Sequence, residues 1–123
     1  MAAGDADDKS LPEPEHPAKS ADEAPRIARL VRIPLPISGT VDTAVKRSVD
    51  QLLEELPKNA EPRPVLVFEF YVKEGQSSEG SEFERALSLA RYLASEKLSR
   101  VRTVAYLPST IKGHAVLAAL ACE

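Results

Sequence analysis

The chain has 123 residues, which is enough for one small domain and not for two. Hydrophobic residues make up 43% of it, but there is no tryptophan and aromatic residues reach only 5%, so a core must be built from aliphatic side chains. The net charge of −3 and the absence of a cluster of lysines and arginines argue against nucleic acid as a partner.

The first 25 residues have a different composition from the rest. They contain seven acidic residues, two lysines and four of the ten prolines, with few apolar side chains other than alanines and Leu11. Such a segment cannot bury enough surface to offset the entropy lost on ordering. We therefore expect residues 1–25 to be a disordered, acidic, proline-rich tail and residues 26–123 to form the domain. His16 lies in that tail, where we expect a solvated side chain rather than a metal ligand.

Cellular location is left open by the sequence. The first residues are acidic and lack the apolar segment of a signal peptide, and no run reaches the ~20 apolar residues of a membrane span. If Met1 is the true start, the expectation is a cytoplasmic protein; a start further upstream could add a signal or an anchor. The one cysteine, Cys122, cannot form an internal disulfide and is expected to be a small buried side chain on the last helix.

The domain begins with a predicted strand and helix. Residues 27–35 are rich in Val, Ile and Leu, and Pro34 and Pro36 indicate that this strand either ends there or has an open edge. Apolar side chains at helical spacing predict a helix over 41–56, with Thr40 or Ser38 as its cap. Its acidic residues, Asp42, Asp50, Glu54 and Glu55, are expected on a polar face.

A second strand is predicted over 65–72, where the apolar run is nearly continuous. That pattern is typical of a central parallel strand covered on both faces. Its one charge, Glu69, is either the partner of a neighbouring arginine or a catalytic carboxylate. The polar loop that follows contains Gly75 and lies where α/β proteins place ligand sites, although it lacks the ending of a phosphate-binding loop.

The remaining elements complete an alternating pattern. Residues 81–84 read as a capping box for a helix that runs to about Leu98. The residues expected on its buried stripe are Phe83, Ala86, Leu87, Ala90, Leu93 and Ala94. A third strand over 102–107 and an apolar helix from Ala115 follow, so the order of elements favours a parallel α/β arrangement.

Four short motifs resemble the start of one superfamily. They are Ile33–Asp42, Val65–Phe70, Val104–Leu107 and Ala115–Glu123, short motifs distributed over about residues 27–123. They are similar to the superfamily of the Clp protease proteolytic subunit and crotonase, and within it to the NfeD-type membrane-bound serine proteases and the signal peptide peptidase A group. The resemblance implies a ClpP/crotonase-like fold of repeated strand–helix units with a mainly parallel sheet, incomplete at its C-terminus.

The same resemblance implies a chemistry. In that family a serine at the start of the apolar helix attacks a peptide carbonyl, backbone amides of a glycine loop stabilise the oxyanion, and a base comes later in the chain. Gly75 is the one match to the glycine loop, and Gly113 is a second backbone candidate. Lys112 stands in the serine's place, give or take one residue, and Ser109 lies before the turn; Lys112 and Gly113 are expected chiefly to serve the turn. His114 is either a base for Ser109 or a donor near the oxyanion, or it is a polar residue that caps the buried helix.

The expected function is therefore that of a degenerate or truncated serine protease-like domain, with Ser109, Lys112 and His114 as the catalytic candidates. Its partners would be a peptide or protein substrate if it is active, a second copy of itself, or a membrane protein, with no cofactor and no metal. The alternative is a non-catalytic scaffold or oligomerisation module of the same fold. An acyl-CoA enzyme of the crotonase branch is a third hypothesis, but no segment resembles a CoA site.

Overall fold

The computed structural model describes residues 26–123, so the predicted acidic tail and His16 lie outside the described residues. Strands and α-helices alternate along the chain, with a 3-10 turn at Glu96–Leu98. In chain order they are β1 (Ala28–Leu35), α1 (Val41–Glu55), β2 (Val65–Val72), α2 (Phe83–Leu93), β3 (Arg102–Tyr106) and α3 (Ala115–Leu120).

The three strands form one parallel sheet in the order β1-β2-β3. The register places Ile33 opposite Phe70 and, on the other side of β2, Phe68 opposite Ala105. The α/β class, the parallel sheet and the central place of β2 are therefore confirmed. The open edge predicted for β1 is confirmed too, because the strand continues through Pro34 to Leu35 at the margin of the sheet.

Only one face of the sheet is covered by the described residues. Val31 and Ile33 of β1 and Phe68 and Phe70 of β2 are fully or almost fully buried on that face, where α1 and α2 lie. On the opposite face Leu30 is 57% exposed and the alternate residues of β2 are half-buried. The prediction that β2 is covered on both faces is wrong for residues 26–123. The apolar side chains of β2 on the open face are half-buried between the flanking strands. A sequence pattern cannot distinguish that partial burial from burial beneath a second layer of helices.

The burial of α1 and α2 differs from the prediction in two places. Asp42, predicted on the polar side of α1, is 5% exposed and lies 3.2 Å from the Arg85 guanidinium of α2. In α2, Phe83 and Ala94 are exposed, Leu89 is buried instead, and the helix ends at Leu93. The first difference arises because an arginine from another helix neutralises the carboxylate. The second arises because the buried stripe of α2 runs through Ala86, Leu89 and Leu93, and because Phe83 at the start of the helix contacts His114 instead.

The predicted caps are also wrong. No side chain caps α1 or α2, although Thr40 does precede α1. The Ser81 hydroxyl instead accepts a 2.8 Å hydrogen bond from the Ile37 N–H, and the Glu82 N–H donates to the Ile37 carbonyl at 2.9 Å. Both backbone groups of Ile37, just beyond β1, are thus held by the residues that begin α2. We call this pair of hydrogen bonds the Ile37 clamp.

Removing the buried hydroxyl of the Ile37 clamp should destabilise the domain. Ser81→Ala leaves the Ile37 N–H without an acceptor at a site where Ser81 is only 6% exposed, and we expect a loss of about 1–3 kcal/mol. Urea unfolding measures the loss as a lower midpoint at an unchanged slope. The matched control is Ser99→Ala, since Ser99 is exposed. Equal midpoints for the two variants would contradict the role of the clamp.

Candidate functional site

Three loops meet at the carboxyl edge of the sheet because all three strands are parallel. They cover residues 36–40 after β1, 73–82 after β2 and 107–114 after β3. Ligand sites of open α/β sheets lie at this edge. All of the predicted catalytic and backbone site residues fall in the second and third loops.

The structure does not join the three catalytic candidates to one another. Ser109, Lys112 and His114 are all exposed. The Lys112 ammonium lies 3.9 Å from the Glu79 carboxylate. The His114 ring contacts the Phe83 ring edge to face, with centroids 5.2 Å apart. Among the contacts of residues 26–123 there is no hydrogen bond from Ser109 to His114 or Lys112, so no nucleophile–base pair is assembled.

The two glycines serve turns. Gly75 has φ +81° inside a turn that is closed by a 2.9 Å hydrogen bond from the Gln76 N–H to the Lys73 carbonyl. Gly113 has φ +75° and its carbonyl accepts from the Val116 N–H at 3.2 Å, which starts α3. Both conformations are ones that side chains with a Cβ rarely adopt. The predicted turn role of Gly113 is confirmed, and its oxyanion role stays a prediction.

His114 occupies the N-cap position of α3, but its side chain makes no capping hydrogen bond. It thus takes the capping position that one alternative gives it, but without a side-chain hydrogen bond to the helix. Its ring packs on Phe83, which explains why Phe83 leaves the buried stripe of α2. The contact joins the β3–α3 loop to the start of α2.

A small cavity of about 180 Å³ lies between the ends of β1 and β2. Pro34, Pro36 and Val41 form its apolar wall, and Lys73 and Gln76 supply polar groups. An ammonium and a carboxamide can bind a small polar group there, but neither group is a nucleophile for acyl transfer. Sequence reasoning missed this cavity, since the two strand ends that frame it, at Leu35 and Val72, are 37 residues apart in the chain and meet only through strand pairing.

Glu69 lies within β2 and is paired with an arginine; it does not lie among the loops at the carboxyl edge of the sheet. Its carboxylate accepts a 3.1 Å hydrogen bond from Arg32 on β1, and the Arg32 guanidinium lies 4.0 Å from the centre of the Tyr71 ring. The prediction that Glu69 pairs with a neighbouring arginine is confirmed. The pair lies on the open face of the sheet.

Asp50 also has a structural partner. The Tyr92 hydroxyl of α2 donates to its carboxylate, and the Lys97 ammonium lies 3.4 Å away. Burial, and then this hydrogen bond, raise the pKa of Tyr92 well above its ordinary value. Asp50 therefore links α1 to α2 instead of lying on a wholly solvated face.

Comparison with protein-family models, with curated proteins and with solved structures gave no significant match to this chain. The resemblance to the Clp and NfeD proteases therefore stays a prediction that rests on the motifs. None of the helices in residues 26–123 is long and apolar enough to cross a membrane. Within the same residues no three His, Cys, Asp or Glu side chains lie together in a way that could hold a metal ion.

Cys122 lies just beyond α3 and is half-buried, with its sulfur 3.9 Å from the Ala118 carbonyl. Burial raises the pKa of Cys122 to about 11, partly offset by a hydrogen bond with Thr103. A raised thiol pKa means that the folded state favours the protonated form. The resulting stabilisation is complete below the pKa of the unfolded thiol, near 9.0, and is lost as the pH rises through about 11.

The native thiol should consequently react slowly. At pH 8.5 we expect Ellman's reagent to modify Cys122 roughly tenfold more slowly in native protein than in denaturant, since the smaller thiolate fraction outweighs the higher nucleophilicity. The rate in denaturant is the control. A native rate equal to that of the unfolded chain would contradict the raised pKa.

Proposed function

We propose that this chain is a serine protease-like domain of the Clp/NfeD type that lacks a working nucleophile and does not hydrolyse peptides. The observation that carries the proposal is the junction of β3 and α3, where Lys112-Gly113-His114 stands in place of a serine at the helix start. The alternating parallel strands and helices are compatible with the fold that the motifs imply.

The side chains at this junction support a loss of catalysis. Lys112 is 66% exposed, and its ammonium lies 3.9 Å from the Glu79 carboxylate rather than beside the Ser109 hydroxyl. Ser109 would need a base within hydrogen-bond reach to become a nucleophile. The candidate base for Ser109, His114, packs on Phe83 instead.

The test is labelling with a fluorophosphonate probe together with a fluorogenic peptide assay. We expect no labelling above that of heat-denatured protein and no peptide turnover, because no activated hydroxyl is present at the start of α3. A known serine hydrolase is the positive control, and Ser109→Ala is the matched variant. Labelling that disappears in Ser109→Ala would refute the proposal.

A second candidate function, an assembly module, is favoured by the open face of the sheet. Purely parallel sheets are nearly always covered on both faces, yet here one row of the open face consists of Leu30, Val67 and Val104. The neighbouring Arg32–Glu69 pair carries both signs of charge, so two copies could face each other without a net repulsion from this pair. Under this alternative the domain contributes a surface, not a reaction.

Light scattering after size-exclusion chromatography tests this alternative. We expect the full chain to elute as a discrete dimer or larger oligomer at ~100 µM, and Val67→Lys to shift it to monomer because a buried, unpaired charge is costly. The matched control is Thr43→Lys, on an exposed part of α1. A monomeric wild-type chain at that concentration would argue against the alternative.

A further inference from the structure

We propose that the outer edge of β1 binds an acidic, extended peptide segment of a partner protein as an added strand. This surface lies to the side of the sheet, away from the loops at its carboxyl edge. The inference is therefore independent of whether the domain hydrolyses peptides.

The backbone of β1 is available on that side. The Val65 N–H donates to the Ile27 carbonyl at 2.8 Å, so Ile27 and every second residue after it turn their backbone groups toward β2. Ala28, Leu30 and Arg32 consequently turn theirs outward. No strand of the described chain pairs with this edge, and only the Ala28 carbonyl accepts a side-chain hydrogen bond there, from Arg29. Unpaired strand edges are templates for strand addition.

Pro34 fixes where an added strand can pair. By the same alternation, the backbone groups of Pro34 point outward. The missing N–H of Pro34 therefore removes no hydrogen bond to β2, but it leaves the free edge with one donor fewer. The paired stretch is thereby confined to Ala28–Arg32. A peptide of about five to seven residues matches that length.

A groove of about 320 Å³ runs beside this edge. Leu30, Val31 and Arg32 line it from the strand, while Ser48 and Leu52 line it from α1. An added strand would place alternate side chains in the groove, where Leu52 offers an apolar contact. The side chains between them would lie on the open face beside Leu30, which is 57% exposed. The groove therefore favours an apolar residue at every second position of the peptide.

Charge selects the remaining positions. Arg26, Arg29 and Arg32 are exposed at or beside the edge, and Glu55 is the one acidic residue that lines the groove. Arg32 is paired with Glu69, but its side chain is still 57% exposed. Acidic residues between the apolar ones would lie on the open face, where Arg32 offers complementary charge, while Arg29, on the α1 side of the strand, adds to the positive potential of the edge.

The same charges disfavour a second copy as the occupant. Two β1 strands could pair antiparallel about Leu30, with Ala28 of each copy opposite Arg32 of the other, which keeps both prolines outside the ladder. That register would gather the arginines at positions 26, 29 and 32 of both copies along one seam. Like charges next to one another across strands are destabilising, so an acidic peptide is the better occupant.

The test is an NMR titration of the full-length protein, labelled with ¹⁵N, with an acetylated seven-residue peptide of alternating glutamate and valine. We expect the amide hydrogens of Leu30 and Arg32 to exchange at least tenfold more slowly with peptide, and binding to weaken as salt is raised. Alternating lysine and valine is the charge control. The same acidic peptide with a central proline tests for the strand ladder.

Two matched variants locate the site. Arg29→Glu should weaken binding at least tenfold, whereas Arg91→Glu, on an exposed position of α2, should leave it unchanged. Urea unfolding of both variants shows that they are folded. Three results would overturn the proposal: no added protection of Leu30 and Arg32, equal binding of the lysine peptide, or amides already protected without peptide by the acidic residues 1–25 or by a second copy.

Discussion

The way the chain leaves β1 determines the arrangement of the loops at the carboxyl edge of the sheet. Ile37 has both of its backbone groups bonded to Ser81 and Glu82, at the start of α2, although 44 residues separate Ile37 from Ser81. Ile37 is also fully buried, so those backbone groups could not be satisfied by water. The Ile37 clamp thus joins the β1–α1 loop to the β2–α2 loop. The contact between Phe83 and His114 then joins the start of α2 to the β3–α3 loop.

Much of the fold follows from local pattern, because strands and helices differ in the period of their apolar residues. The alternation of elements and the parallel sheet were predictable for this reason. The pattern does not show which partner an element meets. Asp42 reads as a surface residue of α1 until Arg85 is placed beside it, and Ser81 reads as a cap until Ile37 offers a closer donor. The sequence did not predict the open face of the sheet for the same reason, since a half-buried valine and a fully buried one give the same apolar pattern.

The contacts at the candidate site were even less predictable from the sequence than the fold was. Ser109, Lys112 and His114 fall within six residues, and proximity in sequence made a catalytic group conceivable. In the structure Lys112 and His114 each contact a residue of another segment, Glu79 in the β2–α2 loop for Lys112 and Phe83 at the start of α2 for His114. Those partners come from the segment after β2, and no periodicity in the β3–α3 junction indicates them. The chemistry of a loop edge depends on such pairs between segments, so a motif in one loop does not by itself identify an activity.

The edge of β1 combines two roles that a single sequence pattern can serve. Prolines and positive charges on edge strands prevent uncontrolled pairing, and Pro34 with Arg29 and Arg32 fits that protective role. The same features prevent the pairing of some strands and permit the pairing of others. Pro34 blocks only the carboxyl end of the strand, and the arginines repel only basic or like-charged strands. What the edge leaves open is a short acidic segment with apolar residues facing α1, because that is the one kind of strand for which the hydrogen bonds, the groove and the charges all agree. An edge protected against its own copies can in this way remain a binding site for a different chain.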